Sequence, residues 1–458
     1  MANYLRHSYE HLEINPECPF ANDTLQRLRF SNLLTNIVSN YSNGFVMAVN
    51  GAWGTGKTVF MRQWKYALEN KDYRVTIFNA WDNDYFGEPT LAILSQFTDF
   101  FDEEKSLPEK AVSAWKTLQS IPQIAIKGAI TKRIESVIGE DAIKEISNTH
   151  KANTETDAEY RNSDIAKYLS QRIEFTKYQN ALIEFAAATS EKDKPLVFII
   201  DELDRCTPSY AVEVLEKIKH LFSIPNIVFC LAIDKGQLKK TIQGHYGAFD
   251  FNAEEYLRRF FDIELDLPPI QYQDFAFLLA THFELKSYFQ SDVDLNDFIQ
   301  ISAESAEKQH LTLRQLEKYF AYAKLVFSCY KTDKVAWLVA VFLILHKFCN
   351  ELFNQIINRE FKLQDYAYRL KLLLNFKEYS RGPNILGALL YHIEVYLNDG
   401  HLVQIPNDFK FEWTSDFSEK ELETISWCYI AESQIRCSAA SLERIVSKIC
   451  FIEQIISR

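Results

Sequence analysis

Glycine is scarce in this chain, 13 residues in 458, under half the share of about 7% usual in soluble proteins. That excludes collagen-like repeats and glycine-rich low-complexity tracts. Long apolar runs are missing as well. The longest, Val335–Leu345, ends at His346 and Lys347 after eleven residues. A membrane-spanning helix needs about 17–25, so a buried helix is expected there instead. None of the eight cysteines stands in a CxxC pair, which speaks for reduced thiols in a cytoplasm and against structural zinc. The opening MANYLRHSYEHLEINPECPF has no apolar stretch and no small-residue cleavage site, so nothing in it points to secretion. A net charge of −12 disfavours a wholly basic nucleic-acid binder, while leaving room for a local basic face.

What is present is the material of packed domains. Apolar residues make up 47% of the chain, too many for disorder, and at about 100–200 residues per domain the length calls for two to four. Asp23 can cap a helix whose apolar residues, Leu25, Leu28, Phe30, Leu33, Leu34 and Ile37, recur at helical spacing. Four short apolar runs follow, Phe45–Val49, Val75–Asn79, Leu196–Ile200 and Ile227–Ile233, with a fifth at Ile263–Leu267 stopped by Pro268 and Pro269. Their length, β-branched content and abrupt polar ends fit strands of a parallel sheet buried on both faces. The polar, Glu- and Lys-rich stretch from Thr90 to Lys194 is too long for a crossover and reads as a helical insertion with a loop around Asn148–Asp157. The expected division is an N-terminal helical segment at 1–43 packing on an α/β core at 44–270, with its insertion at about 90–194, then a helical lid and C-terminal helical domain at 271–458.

Three of the few glycines fall within Gly51-Ala52-Trp53-Gly54-Thr55-Gly56-Lys57-Thr58. This matches GxxxxGK[ST] between an expected strand and an expected helix, the context that a phosphate-binding loop requires. Glycines let backbone N–H groups curve round a polyphosphate, and the following helix adds its positive end. Gly51, Trp53, Gly54, Thr55, Gly56, Lys57, Thr58 and Val59 are therefore the candidate nucleotide contacts. Lys57 is expected at the β- and γ-phosphates and the Thr58 hydroxyl on Mg²⁺. The run Leu196–Ile200 ends in Asp201-Glu202. Asp201 is placed to complete the Mg²⁺ shell, and Glu202 to orient and deprotonate an attacking water, which favours hydrolysis over transfer to another acceptor.

Other candidates keep two readings. Asp234, after Ile227–Ile233, either points at the γ-phosphate or caps the next helix. Arg258, Arg259 and Arg314 could each stabilise charge on the γ-phosphate, although an arginine on a helix is more often solvated or surface-paired. No NKxD-like tetrapeptide follows the strand before Asp234, so ATP is expected rather than GTP.

Taken together, GAWGTGKT, Phe78-Asn79-Ala80-Trp81, Asp201-Glu202-Leu203-Asp204-Arg205-Cys206 and the strand ending Ala232-Ile233-Asp234 resemble the KAP family of P-loop NTPases over roughly residues 15–330. The resemblance implies an α/β P-loop fold with an ASCE-type parallel sheet and a helical lid after it. It also implies Asp234 as the first sensor and Arg314 as a candidate second sensor. Two departures stand out. Many members carry transmembrane helices inserted in the nucleotide domain, and no run in Thr90–Lys194 is long enough. The family's usual second Asp of DDLDR is Glu202 here. Relatives in bacteria are linked with exclusion of phage or plasmids, which the resemblance implies for this chain.

The expected activity is thus a Mg²⁺-dependent ATPase acting as a conformational or assembly switch, with a protein partner or self-association. The alternatives are a nucleic-acid-stimulated ATPase, a scaffold that binds nucleotide without turnover, and a P-loop kinase. Between Arg314 and Arg381 there are 12 Lys or Arg against six Asp or Glu, interleaved with Tyr319, Tyr322, Tyr330, Trp337, Tyr366, Tyr368 and Tyr379. Such a stretch can track a nucleic-acid backbone and stack bases. The commoner arrangement, helices whose aromatics fill the core, is preferred.

Overall fold

In the computed structural model, residues 14–100, 108–120 and 164–397 are described, excepting 22, 24, 42–43, 88, 191–193, 220–223, 248–249, 290, 330–335, 361–362 and 374–384, together with a few positions between 422 and 449. The expected loop at 148–157 and residues 1–13 lie outside them. The chain forms two compact units that divide between Pro269 and Ile270.

The α/β unit opens with α1 (Leu28–Asn40), β1 (Phe45–Asn50), α2 (Lys57–Glu69) and β2 (Val75–Asn79). Next come α3 (Ala80–Asp84), α4 (Pro89–Gln96), α5 (Glu109–Ser120) and α6 (Asp164–Thr189). It closes with β3 (Leu196–Asp201), α7 (Pro208–Lys219), β4 (Ile227–Ile233), α8 (Lys235–Tyr246), α9 (Ala253–Leu257) and β5 (Ile263–Asp266). All five strands are parallel, in the order β2-β3-β4-β1-β5.

Strand alternation sends odd and even residues to opposite faces. Met47, Val49, Val197, Ile199, Val228 and Cys230 pack against Phe60, Trp64 and Leu68 of α2 and Leu34 and Val38 of α1. Val46, Ala48, Phe198, Ile200, Phe229 and Leu231 pack on the other face, with α4–α9. Burial on both faces is why each central strand reads as an unbroken apolar run. Within the expected insertion, Trp115 of α5 and Phe185 of α6 lie 5.7 Å apart between ring centroids, and Phe185 meets Phe97 edge-on.

The register matters most at the carboxyl ends. Asn79 lies opposite Asp201, Asp201 opposite Ala232, and Asn50 opposite both Ile233 and Asp266. Polar residues therefore line up along one edge of the sheet, the edge where parallel α/β folds bind ligands.

The helical unit contains α10 (Tyr272–His282), α11 (Asp292–Lys308), α12 (Leu313–Cys329), α13 (Ala336–Phe348), α14 (Asn350–Ile357), α15 (Leu363–Leu373) and α16 (Ile385–Leu397). The longest apolar run is α13, buried from Leu338 to Leu345, and no helix among the described residues is long and apolar enough to cross a membrane. Tyr319, Tyr322 and Tyr366 are buried, so they fill the core and are closed to base stacking. Tyr330, Tyr379 and Arg381, and the side chains of Trp337 and Tyr368, lie outside the description. Cys18, Cys206, Cys230 and Cys349 are free thiols. Burial pushes Cys206 and Cys230 well above the ordinary thiol range, as for inert core residues.

Candidate nucleotide site

β1 delivers the chain to the carboxyl edge, and the Gly51 N–H there donates to the Ile233 carbonyl at 3.0 Å, fastening the loop to β4. A Cβ at Gly51 would meet Thr55 Oγ1 at 3.0 Å and Lys57 Cγ at 3.3 Å, so a side chain there would crowd both. Gly54 and Gly56 take φ values of +78° and +85°, in the left-handed region open to glycine. The residues after Gly56 then fall directly into α2, whose first turn points unpaired N–H groups back at the loop.

The loop's carbonyls at 51 and 52 are taken up by its own side chains. Lys57 Nζ donates to the Gly51 carbonyl at 2.6 Å and the Ala52 carbonyl at 3.3 Å. The Thr55 hydroxyl donates to the same Ala52 carbonyl at 2.8 Å. Lys57 is buried. Burial pulls its amine below the ordinary value, and the carboxylates of Asp204, Asp234 and Asp201 push it back up.

Three carboxylates gather on this amine from two neighbouring strand ends. Asp201, at the tip of β3, is 3% exposed, and its carboxylate accepts a hydrogen bond from the Thr58 hydroxyl and another from the Glu202 N–H at 2.9 Å. Burial pushes its carboxyl up to about 6, and the Thr58 bond opposes that rise. Asp234, after β4, caps the next helix and also reaches the loop. Its Oδ1 accepts from the Gln237 N–H at 3.1 Å, capping α8, and its Oδ2 accepts from the Trp53 N–H of the loop at 3.0 Å.

Asp204 ties these parts together and was not singled out by pattern. It is 5% exposed, accepts the Asp234 N–H at 3.0 Å, and accepts the Trp53 indole N–H through Oδ2. Asn50 does the same one strand over: its Oδ1 accepts the Lys235 N–H at 3.0 Å while its Nδ2 donates to Asp266 at 2.8 Å.

Glu202 stands apart from that cluster on the β2 side. Its backbone is left-handed at φ +61°, strained for a residue with a side chain. Asn79 Nδ2 donates to Oε2 at 3.2 Å and Arg205 pairs with Oε1 at 2.9 Å. Arg205 in turn lies 5.4 Å from the centroid of Trp81. Asp84 accepts from both the N–H and the hydroxyl of Thr207, at 2.8 and 2.9 Å. The segments 79–84 and 202–207 are thus tied rung by rung, which explains in contacts why FNAW and DELDRC occur in one chain.

Arg258 and Arg259 follow α9 and are exposed, with Arg258 3.5 Å from Glu255. Arg314 is exposed in the first turn of α12, in the helical unit. Besides Lys57, a second cation meets the loop, one the sequence did not advertise. Arg27, just before α1, donates to the Thr55 carbonyl at 2.6 Å and the Gly56 carbonyl at 3.2 Å.

A family model described as the KAP family P-loop domain matches residues 27–326, more than half of the chain. No curated protein matches it.

Proposed function

The chain belongs to the KAP family of P-loop NTPases, and from that premise we propose that it binds ATP with Mg²⁺, hydrolyses it, and uses the cycle to switch a protein partner or its own assembly. The observation that carries the reading is the pairing of Asp201, buried at the carboxyl end of β3, with Thr58 of the phosphate loop. It joins a hydroxyl from the phosphate loop to a buried carboxylate two strands away. That pair of hard oxygen donors suits Mg²⁺, which takes one or two protein ligands and keeps several waters. Bound there, the ion would supply neutralisation of charge on the phosphate oxygens.

The chain's own groups account for the rest. Lys57 exchanges the Gly51 and Ala52 carbonyls for phosphate oxygens, and the loop N–H groups meet the remaining ones. In hydrolysis a water oxygen bonds to the γ-phosphorus, the bond to the bridging oxygen breaks, and Glu202 takes the water's proton. Each Glu202 oxygen already holds one donor, Asn79 or Arg205, and keeps a second lone pair to accept from the water.

Phosphate release from the purified protein tests the reading, with Glu202→Gln as control. That variant is expected to bind ATP as the parent does and to lose turnover by about 10²–10⁴-fold, the usual worth of a general base. Unchanged turnover removes Glu202 from the mechanism. Binding without any phosphate release by the parent replaces the ATPase with the scaffold reading. A pull-down with Glu202→Gln in ATP then reads the partner and the oligomeric mass from one trapped state.

A further inference from the structure

Resting on that reading, we propose that Arg27 is a positioning residue for the nucleotide: its guanidinium holds the phosphate loop in its binding shape from behind and couples the chain before α1 to nucleotide affinity. A loop that cradles phosphate must turn N–H groups inward, which turns carbonyls outward. Thr55 takes a carbonyl at the start of the loop, that of Ala52, and Arg27 takes those of Thr55 and Gly56 at its end, where the chain passes through left-handed Gly56 into α2. The planar fork of an arginine suits two neighbouring carbonyls, and its fixed charge adds positive potential beside the phosphates.

The setting of this side chain fits a functional role better than a packing one. Arg27 is 3% exposed, and its Nε is buried without a hydrogen-bond partner. Burying a cation with one donor unmatched costs stability, and an apolar side chain would fill the same space at no such cost. Asp23 does not form a fork with it. That carboxylate is committed to backbone, accepting the N–H groups of Arg27 and Leu28 at 2.7 Å each.

The preceding chain lies along α2. Asn70 donates to the Pro16 carbonyl at 2.7 Å, Gln63 donates to the Pro19 carbonyl at 3.0 Å, and Phe20 meets Phe60 at 6.3 Å. The described residues between 16 and 27 therefore reach from the far end of α2 to the loop, with Arg27 in contact with it. Affinity linkage is reciprocal, so nucleotide on the loop tightens this strap, and the strap raises nucleotide affinity.

The test measures ADP binding by calorimetry, with thermal unfolding as the control for folding and hydrogen exchange over residues 14–27 as a second readout. Arg27→Gln is expected to weaken ADP about tenfold, the order of one charge-assisted hydrogen bond. Arg27→Lys, which keeps the charge and loses the fork, should fall between. In steady state, KM for ATP rises with kcat nearly unchanged. ADP should slow exchange at residues 14–27 in the parent and not in Arg27→Gln. A folded Arg27→Gln that binds ADP as tightly as the parent overturns the inference, whatever its melting temperature. Should Arg27→Gln fail to fold, parental affinity in Arg27→Lys together with unprotected exchange in the parent overturns it equally. If the parent binds no ADP or ATP, the ATP reading falls and this inference with it; if the parent binds and the variants match it, this inference alone falls.

Discussion

A buried tyrosine of the helical unit ends on one or two near neighbours, whereas a buried charge of the α/β unit ends on groups drawn from several strands. Tyr366 donates to the Gln355 carbonyl at 2.7 Å, and Tyr322 to the Ile449 carbonyl at 3.1 Å. Lys57, by contrast, sits in the field of Asp201, Asp204 and Asp234, which arrive on the ends of β3 and β4. These two neutral tips are satisfied where they lie and cost little. The charges of the α/β unit are gathered at one sheet edge at a standing cost, since an amine and a carboxyl are both displaced from their ordinary values by burial. The difference separates polar groups that serve packing from polar groups held ready for a ligand.

Removing the amine is the hardest test of that separation. Lys57→Ala is expected to weaken Mg–ATP and ADP on the order of 100-fold, roughly what two charge-assisted hydrogen bonds of about 1.5 kcal/mol each provide. It should leave the protein folded, because the amine's present partners, Gly51 and Ala52, are loop carbonyls. Calorimetry with a matched unfolding curve checks both halves. Unchanged ADP affinity would place the phosphates elsewhere.

Asp201 tests the standing cost directly, in EDTA and without nucleotide. Its folded-state value of about 6 lies above the ordinary 3.8, so between those limits the folded chain holds more protons than the unfolded one. Stability therefore falls as pH rises through that window and stays reduced above it. Asp201→Asn should gain on the order of 2–3 kcal/mol at pH 8, with the gain fading as pH drops toward about 4. The same variant should lose the dependence of ATP binding on Mg²⁺. A variant less stable than its parent at pH 8 would mean that the carboxylate is a structural anchor.

The sheet was legible because its strands are buried on both faces, which writes them as continuous apolar runs with polar ends. The phosphate loop and the Asp201-Glu202 pair were legible because their chemistry needs neighbours in sequence. Asn79, Asp204 and Arg27 were not, because their partners lie 123, 30 and 28 residues away and no local period marks a residue chosen for a distant contact. Arg27 in particular sits where an amphipathic helix begins, and there a lone cation reads as a solvated surface group. Asp234 was ambiguous for another reason: one carboxylate has two oxygens, and here one caps α8 while the other holds the Trp53 N–H of the loop.

The smallest effect sharpens the comparison from the other side. Ser302 and Tyr319 hydroxyls meet at 2.8 Å in the helical unit, and the Tyr319 hydroxyl also donates to the Ala340 carbonyl at 3.3 Å. Tyr319→Phe keeps the ring that stacks on Phe298 and removes only the oxygen, so the loss is that of a neutral hydrogen bond, about 1 kcal/mol. Ser302 keeps the Phe298 carbonyl as an acceptor at 2.7 Å, which holds the penalty at that level. ADP affinity should stay within about twofold, less than the tenfold that 1.4 kcal/mol represents. If Tyr319→Phe instead shifted ADP affinity as far as it shifted stability, this hydroxyl would be coupled to the phosphate loop, and polar burial in the helical unit would have to be counted with the site.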